Sequence, residues 1–472
     1  MILETHAWAQ ETFGSCQLGD RRRTKRLVKL AEQVVARPDG STPEQTESWG
    51  DCKAAYRLFD QEDVTFDEII RPHCQQTLAS CRPGDVKLII NDTTSLDFGY
   101  SRRATGLGPT GNGFGKGYFL HTALMVDAAD GRIDGMGGQI LYHRKPKPKK
   151  RPASNTCRRQ ADRESTVWGN LVDRVGRAPD GVKWVHVDDR GADDFEVFSR
   201  IQAQGNDCVI RAARLNRWMK APDGRRLTLA DRLRELPCAG LRAVEVPAKD
   251  KQPKRTAKLE LRFGPVQMPL PKVLSPWLRD HRPAAPLQLW VVELRETHPP
   301  AGVKPLRWVL YTFGAVMTES DADRIIGWYE RRPTIEDYHK ALKTGCRVEC
   351  RYYETSARLQ RVTGLLSVVA VRLMQLKTAA METPDRPAIE VAPAEWVELL
   401  TKVRKKRKPQ GRLKPQEETH AMTLHEFLRA LAGLGGHLGR KSDGPPGWIT
   451  LWRGFEKLML IARGFDAKNN CG

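Results

Sequence analysis

Carboxylates are the residues of this chain best placed to do chemistry. Asp92 closes the apolar run DVKLIIND (85–92), where an extended segment gives way to polar residues. The stretch DDRGADDFEVF then offers Asp188, Asp189, Asp193 and Asp194. Asp193 or Asp194 can cap the helix that carries Phe195, Phe198 and Ile201, with Glu196 completing a box from Asp193. That leaves Asp188 and Asp189 at a strand end, where side chains alternate and one of the two can face a site. Glu336 stands among Arg331, Arg332, His339, Lys340 and Lys343 in WYERRPTIEDYHKALKTG. Carboxylates without His or Cys partners are oxygen ligands, suited to hard divalent cations rather than zinc.

Other chemistries find less support. GPTGNGFGKG (108–117) lacks phosphate-loop spacing and has Gly117 where Ser or Thr should follow the lysine, so it reads as a flexible glycine-rich loop. A GxSxG elbow is absent, which disfavours a serine hydrolase. The ten cysteines form no CxxC pair. Cys346 and Cys350 lie one helical turn apart without a second ligand pair, so free thiols in a reducing cytoplasm are expected.

The elements that must position these carboxylates follow from periodicity. In residues 1–68, Asp20 can cap a helix carrying RRRTKRLVKLAEQVV. Leu27, Leu30, Ala31 and Val34 share one face of it, while Arg22, Lys25, Arg26 and Lys29 fall largely on the other. Thr42 to Gln45 reads as a capping-box start with Pro at the first helical position, and the next helix runs through Trp49 towards Phe59. After Cys81 the texture changes to strands: DVKLIIND, two strands around the Asp130-Gly131 turn, and VKWVHV (182–187). A helix through Trp168, Leu171, Val172 and Val175 lies between them, and RKPKPKKRP (144–152) must be an exposed loop. Residues 221–315 are strand-like and proline-punctuated, a β-rich insertion in a mixed α/β sheet. Helices resume at Glu319 and run to about 380, followed by a linker and a last helical region. There Leu451, Phe455, Leu458 and Ala462 share an apolar face, suited to local core or to a partner.

In the segment around Glu336, 100° per residue places Tyr329, Arg332, Glu336 and Lys343 in one stripe. Trp328, Ile335, Tyr338 and Leu342 make an adjacent apolar stripe that stays in phase across Pro333, which predicts one kinked helix. Spacing alone also allows a solvated face, with Glu336 paired to Arg332 and Lys340.

The whole-chain balance of 78 Lys+Arg against 57 Asp+Glu, net +21, points to a polyanion, most often nucleic acid. At 472 residues two or three domains are expected. MILETHAWAQETFGSC lacks a basic start followed by an apolar run, so no signal peptide is expected. GLLSVVAVRLMQL (364–376) is short and interrupted by Arg372, so no membrane span is expected.

Tyr329, Arg332, Glu336 and Lys343 reproduce the Y-x2-R-x3-E-x6-K signature of bacterial insertion-sequence transposases of the DDE type, and the chain resembles that family along nearly its whole length. The likeness includes LGDRRRTKRLVKLA, AYRLF, DTTSL around Asp92, RESTVW (163–168), DRGAD from Asp189, HPPAGVKPLRWVLYT, SVVAVRLMQL and the tryptophan-rich C-terminus. It implies an α/β fold: a ribonuclease-H-like mixed-sheet core with a β-rich insertion, flanked by N-terminal and C-terminal all-helical domains. The implied division is 1–68 for DNA end recognition, 69–380 for catalysis (insertion about 221–315) and 381–472 for dimerisation.

The resemblance further implies Asp92, Asp189 and Glu336 as catalytic metal ligands for two Mg²⁺ or Mn²⁺ ions. Tyr329, Arg332 and Lys343 would contact the transposon-end backbone, with Lys340 helping to hold phosphates. Trp308 would stack a base that leaves the duplex during hairpin formation. Arg211, Arg22 and Arg26 are further DNA-contact candidates. The implied activity is cut-and-paste transposition of double-stranded DNA ends into target DNA by a synaptic homodimer, in the bacterial cytoplasm at the nucleoid and without a membrane. The chain departs from the family just after Arg332, where Pro333 replaces a tryptophan. An inactive end-binding regulator and a metal-dependent nuclease of the same fold are the alternatives.

Overall fold

The N-terminal helices form where capping residues precede apolar-periodic runs. They are α1 (Thr5–Phe13), α2 (Arg21–Ala36), α3 (Thr42–Gln45), α4 (Trp49–Asp60) and α5 (Phe66–Ala79). Asp20 accepts from the Arg22 amide at the start of α2, and Thr65 accepts from Glu68 at the start of α5. The α3 cap is Ser41, one residue before the expected Thr42, with Glu44 closing the box. The computed structural model describes residues 5–99, 104–111, 113–144, 164–246, 254–406, 421–440, 443 and 446–469. Residues 145–152 of the expected basic loop, and the run 407–414, lie outside them.

The sheet begins with β1 (Val86–Asp97), β2 (Gly108–Thr110), β3 (Gly115–Asp127) and β4 (Ile133–Tyr142). After α6 (Thr166–Val175) come β5 (Lys183–Asp188), α7 (Phe195–Ala203) and β6 (Asp207–Arg211). β3 pairs antiparallel with both β4 and β1, whereas β1–β5 and β5–β6 are parallel. Leu88, Ile89 and Ile90 are fully buried, as a strand covered on both faces requires. β1 outlasts the expected strand by five residues, because Thr93 and Thr94 continue the extended backbone beyond the polar pair Asn91-Asp92. Asp92 therefore sits within the strand, opposite Thr122 of β3, and not at its end.

The proline-punctuated region adds β7 (Trp218–Lys220), β8 (Arg226–Thr228), α8 (Leu229–Glu235), β9 (Gly240–Val246), β10 (Arg255–Met268), α9 (Pro276–His281), β11 (Leu287–Glu296) and β12 (Arg307–Thr312). It extends the same sheet: β12 lies antiparallel between β6 and β11, giving twelve strands in one sheet among the described residues.

The remaining helices are α10 (Glu319–Glu330), α11 (Thr334–Lys340), α12 (Ser356–Glu382), α13 (Ala394–Lys406), α14 (Leu424–Leu434) and α15 (Trp448–Asn469). The expected single kinked helix around Pro333 is two helices, α10 and α11. Arg331, Arg332, Thr334 and Ile335 all bond three residues back, and proline donates nothing to an i−4 ladder. The phase of the two stripes survives, because this turn stays in αR backbone at Arg331 and Pro333. α12 is longer than the run 364–376 suggested; Ser356–Ala380 meets the length and apolarity of a membrane span, yet 83% of its most apolar window is buried inside the protein. Leu451, Phe455, Leu458 and Ala462 of α15 are likewise buried within the chain, so that face is core.

One hydrophobic cluster runs from Trp8 through Ile90 and Val369 to Ala462, joining the N-terminal helices, the sheet and the C-terminal helices. Arg351 pins this junction. Although only 4% exposed, it donates to the carbonyls of Gly40, Pro38 and Cys346 and to the side chain of Gln45. Removing it orphans several buried acceptors, so Arg351→Ala should cost about 3 kcal/mol or more. An unchanged urea midpoint for that variant would refute this.

Candidate active site

Three elements meet where β1, the end of β5 and α11 come together. β1 carries Asp92, and the 3₁₀ turn Arg190–Ala192 after β5 is capped by Asp189, whose carboxylate accepts from the Gly191 amide at 2.6 Å. Strand alternation separates the two candidates at the end of β5. Asp188 turns into the core, where Asn91 donates to it at 2.7 Å and burial pushes its carboxyl up to about 8. Asp189 faces the same space as Asp92. Of the next pair, Asp194 caps α7 by accepting from Glu196, whereas Asp193 is buried against Arg217 and forms no box.

Arg332 joins the three carboxylates. Its guanidinium lies 3.1 Å from Asp92 Oδ2, 2.9 Å from Glu336 Oε1 and 3.7 Å from Asp189 Oδ2. The Arg332 and Asp92 side chains are 14% and 18% exposed, against 39% for Asp189 and 51% for Glu336, so the cluster opens to solvent on the Asp189 and Glu336 side. Burial raises the Asp92 carboxyl above its ordinary range; Arg332 opposes this, while Asp189 and Glu336 add to it. Burial lowers Arg332, but the carboxylates outweigh it and its affinity for a proton rises. The all-oxygen donor set fits a hard divalent cation. Asp92, Asp189 and Glu336 would be the residues to hold it, and in this arrangement each faces the Arg332 guanidinium. Arg332 occupies the space between them.

The remaining residues of the basic segment divide. Lys340 pairs with Asp337 at 3.2 Å and Lys343 with Glu349 at 3.3 Å. Arg331 points away from the site and donates to the Ala129 and Asp130 carbonyls, clamping the β3–β4 turn. A Cβ on Gly131 would meet that guanidinium at 2.0 Å, and φ of +82° there independently requires glycine. Tyr329 and Trp308 meet edge to face at 5.3 Å, and Arg211 bonds Tyr329 while donating to the Arg307 carbonyl. Trp308, Tyr329 and Arg211 thus form one cluster on β12, α10 and β6.

Sequence reasoning passed over a buried layer beside the carboxylates. His121 of β3 bonds Thr93 at 2.7 Å, and its ring lies 4.5 Å from Trp168. Trp168 in turn packs so closely that a Cβ on Gly191 would approach it to 2.8 Å. His339, one turn after Glu336, is buried with Nε2 unpartnered. The glycine of DRGAD was the available signal for this packing; His339 read only as part of the basic surroundings of Glu336, and His121 was not singled out.

On the N-terminal helices, the charges of α2 are largely spoken for. Arg22 folds onto Asp20 at 3.0 Å and Arg23 reaches Asp63, while Arg26 and Lys29 share Asp51 of α4 at 2.5 and 3.0 Å. The exposed stripe lies on α4 instead. Trp49, Lys53 and Arg57 recur at four-residue spacing, with Trp49 68% exposed and Lys53 Nζ 5.2 Å from its ring. Residues 5–64, which contain both helices, match the family model described as transposase DNA-binding. The match supports a transposase, a DNA-processing protein with DNA as a partner.

Proposed function

We propose that the chain is a DDE transposase that binds the inverted-repeat ends of a mobile element, cleaves them through a hairpin intermediate and joins the 3′ ends to target DNA. The observation that carries this reading is the approach of Asp92, Asp189 and Glu336 to one guanidinium in a chain whose N-terminal helices match a transposase DNA-binding family. The strand order β4-β3-β1-β5-β6, two antiparallel pairings followed by two parallel ones, supports the ribonuclease-H-like reading of the core.

Asp92, Asp189 and Glu336 would hold Mg²⁺ or Mn²⁺, two ions of which supply Lewis-acid activation of an attacking oxygen and stabilisation of a leaving one. The chain's own groups then orient the DNA. Arg332 offers a planar fork to phosphate oxygens, and Lys343 and Lys340 supply point charges once released from Glu349 and Asp337. Trp308, half-buried against Tyr329, presents an aromatic surface to a base that leaves the stack. Trp49, Lys53 and Arg57 form the α4 face offered to the end sequence. A synaptic homodimer remains part of the proposal, with a surface other than the buried face of α15.

Because Arg22, Arg23, Arg26 and Lys29 of α2 are paired within the chain, Lys53→Ala and Arg57→Ala should each reduce the salt dependence of DNA binding by about one counterion. Arg26→Ala should change it less, and the opposite order in a gel-shift salt titration would contradict the assignment. A second reading, an end-binding regulator without catalysis, follows if Arg332 stays paired with the carboxylates when DNA is bound. Incubation with DNA bearing the gene's flanking repeats and Mg²⁺ tests the choice. Cleaved ends support the transposase; stable binding without cleavage supports the regulator.

A further inference from the structure

We propose that Arg332 is the resident cation of the DNA-free site, and that a divalent cation enters only after a DNA phosphate draws the guanidinium away. The inference rests on the reading of Asp92, Asp189 and Glu336 as metal ligands, and goes beyond it by making metal affinity conditional on DNA.

The guanidinium lies between the oxygens a metal would use: Nη2 is 3.1 Å from Asp92 and 3.7 Å from Asp189, and Nη1 is 2.9 Å from Glu336. A divalent cation needs those oxygens at about 2.0–2.2 Å, so both cannot occupy the centre. A dication placed beside the guanidinium would also be repelled, strongly so in a partly buried site. With Arg332 in place, one of the three carboxylate charges is neutralised and the remaining charge still attracts cations.

The same arrangement provides an exit. Arg332 lies on the turn between α10 and α11, and rotation about its own side-chain bonds moves the guanidinium while the backbone of both helices stays in place. Its Nε is buried without a partner, which makes the inward pose incompletely satisfied. A phosphodiester offers two oxygens to the planar fork, a geometry in which arginine binds strongly. Lys340 and Lys343 cannot take over as the inner cation while held by Asp337 and Glu349. Exchange of Arg332 from carboxylate to phosphate thus removes a cation from the site and positions the DNA in one movement.

The test is Mn²⁺ binding to the full chain, read by electron paramagnetic resonance, without and with a duplex carrying the inverted repeat that flanks the gene. Wild type should bind Mn²⁺ weakly alone and more tightly with the duplex. Arg332→Gln should bind Mn²⁺ without DNA on the order of tenfold more tightly than wild type. Arg332→Lys, which keeps the charge, should stay near wild type, and adding Asp92→Asn to Arg332→Gln should abolish the gain. Thermal unfolding of each variant confirms a native fold. If duplex-bound wild type takes up Mn²⁺ but Arg332→Gln gains nothing without DNA, the exchange is wrong and the carboxylate reading stands. If duplex-bound wild type takes up no Mn²⁺ that Asp92→Asn removes, both fall.

Discussion

Asp189→Asn should reduce cleavage of end-bearing DNA by at least about a thousandfold, equivalent to roughly 4 kcal/mol of transition-state stabilisation, while leaving end affinity within a few-fold of wild type. Asparagine can still accept from the Gly191 amide, so the turn after β5 keeps its cap and the effect reports on charge. Asp188→Asn is the internal control. Its carboxyl is buried, pushed up to about 8 and already neutral near pH 7, so the amide mimics the native form and cleavage should persist. Single-turnover cleavage of a labelled end, with a gel shift on the same DNA, measures both quantities. Normal cleavage by Asp189→Asn would remove it from the site.

Mild acid should destabilise the protein sharply. Burial lowers His73 to about 4, and His121, His186 and His339 to about 3. An unfolded histidine takes up a proton near 6.5. Below that pH the unfolded chain binds protons that the folded chain excludes, so stability present above about 6.5 is lost as pH falls towards the folded values. Each such proton is worth about 1.4 kcal/mol per pH unit. Asp188, Asp92 and Asp193, all raised by burial, work in the opposite direction and offset part of this loss across that window. The imbalance over one or two units approaches the typical 5–15 kcal/mol of total stability. The melting temperature should therefore fall steeply between pH 6.5 and 4; a flat profile would show that these imidazoles are not buried neutral.

Legibility in the sequence followed the range of the interactions involved. Helix starts were readable because a cap and the amide that donates to it lie within three residues, as at Asp20; the apolar run of β1 and the Asp130-Gly131 hairpin are equally local. The end of β1 was misplaced because Asn91 and Asp92 look like a strand terminus, although their polar side chains are taken up by Asp188 and Arg332. Pro333 preserved the side-chain phase while removing a donor, so periodicity could not tell a kink from a break. The shared approach of Asp92, Asp189 and Glu336 to Arg332 leaves no periodic trace, since Arg332 reaches Asp92 across 240 residues of chain. Pairings such as Arg26 with Asp51, or Arg351 with Gly40, leave no periodic trace, and they decide which cations are free to meet DNA. The buried histidines were illegible for the same reason: burial comes from neighbours remote in sequence.

The central claim is that this chain cuts and joins DNA at the carboxylate cluster held by Arg332. The most direct measurement mixes purified protein, Mg²⁺, DNA carrying the gene's flanking inverted repeats and a target plasmid, and then sequences any junctions formed. Junctions joining the 3′ ends of the repeats to target DNA, absent with Asp92→Asn, Asp189→Asn or Glu336→Gln, are the predicted result. Tight binding of the ends with neither cleavage nor junctions would contradict it.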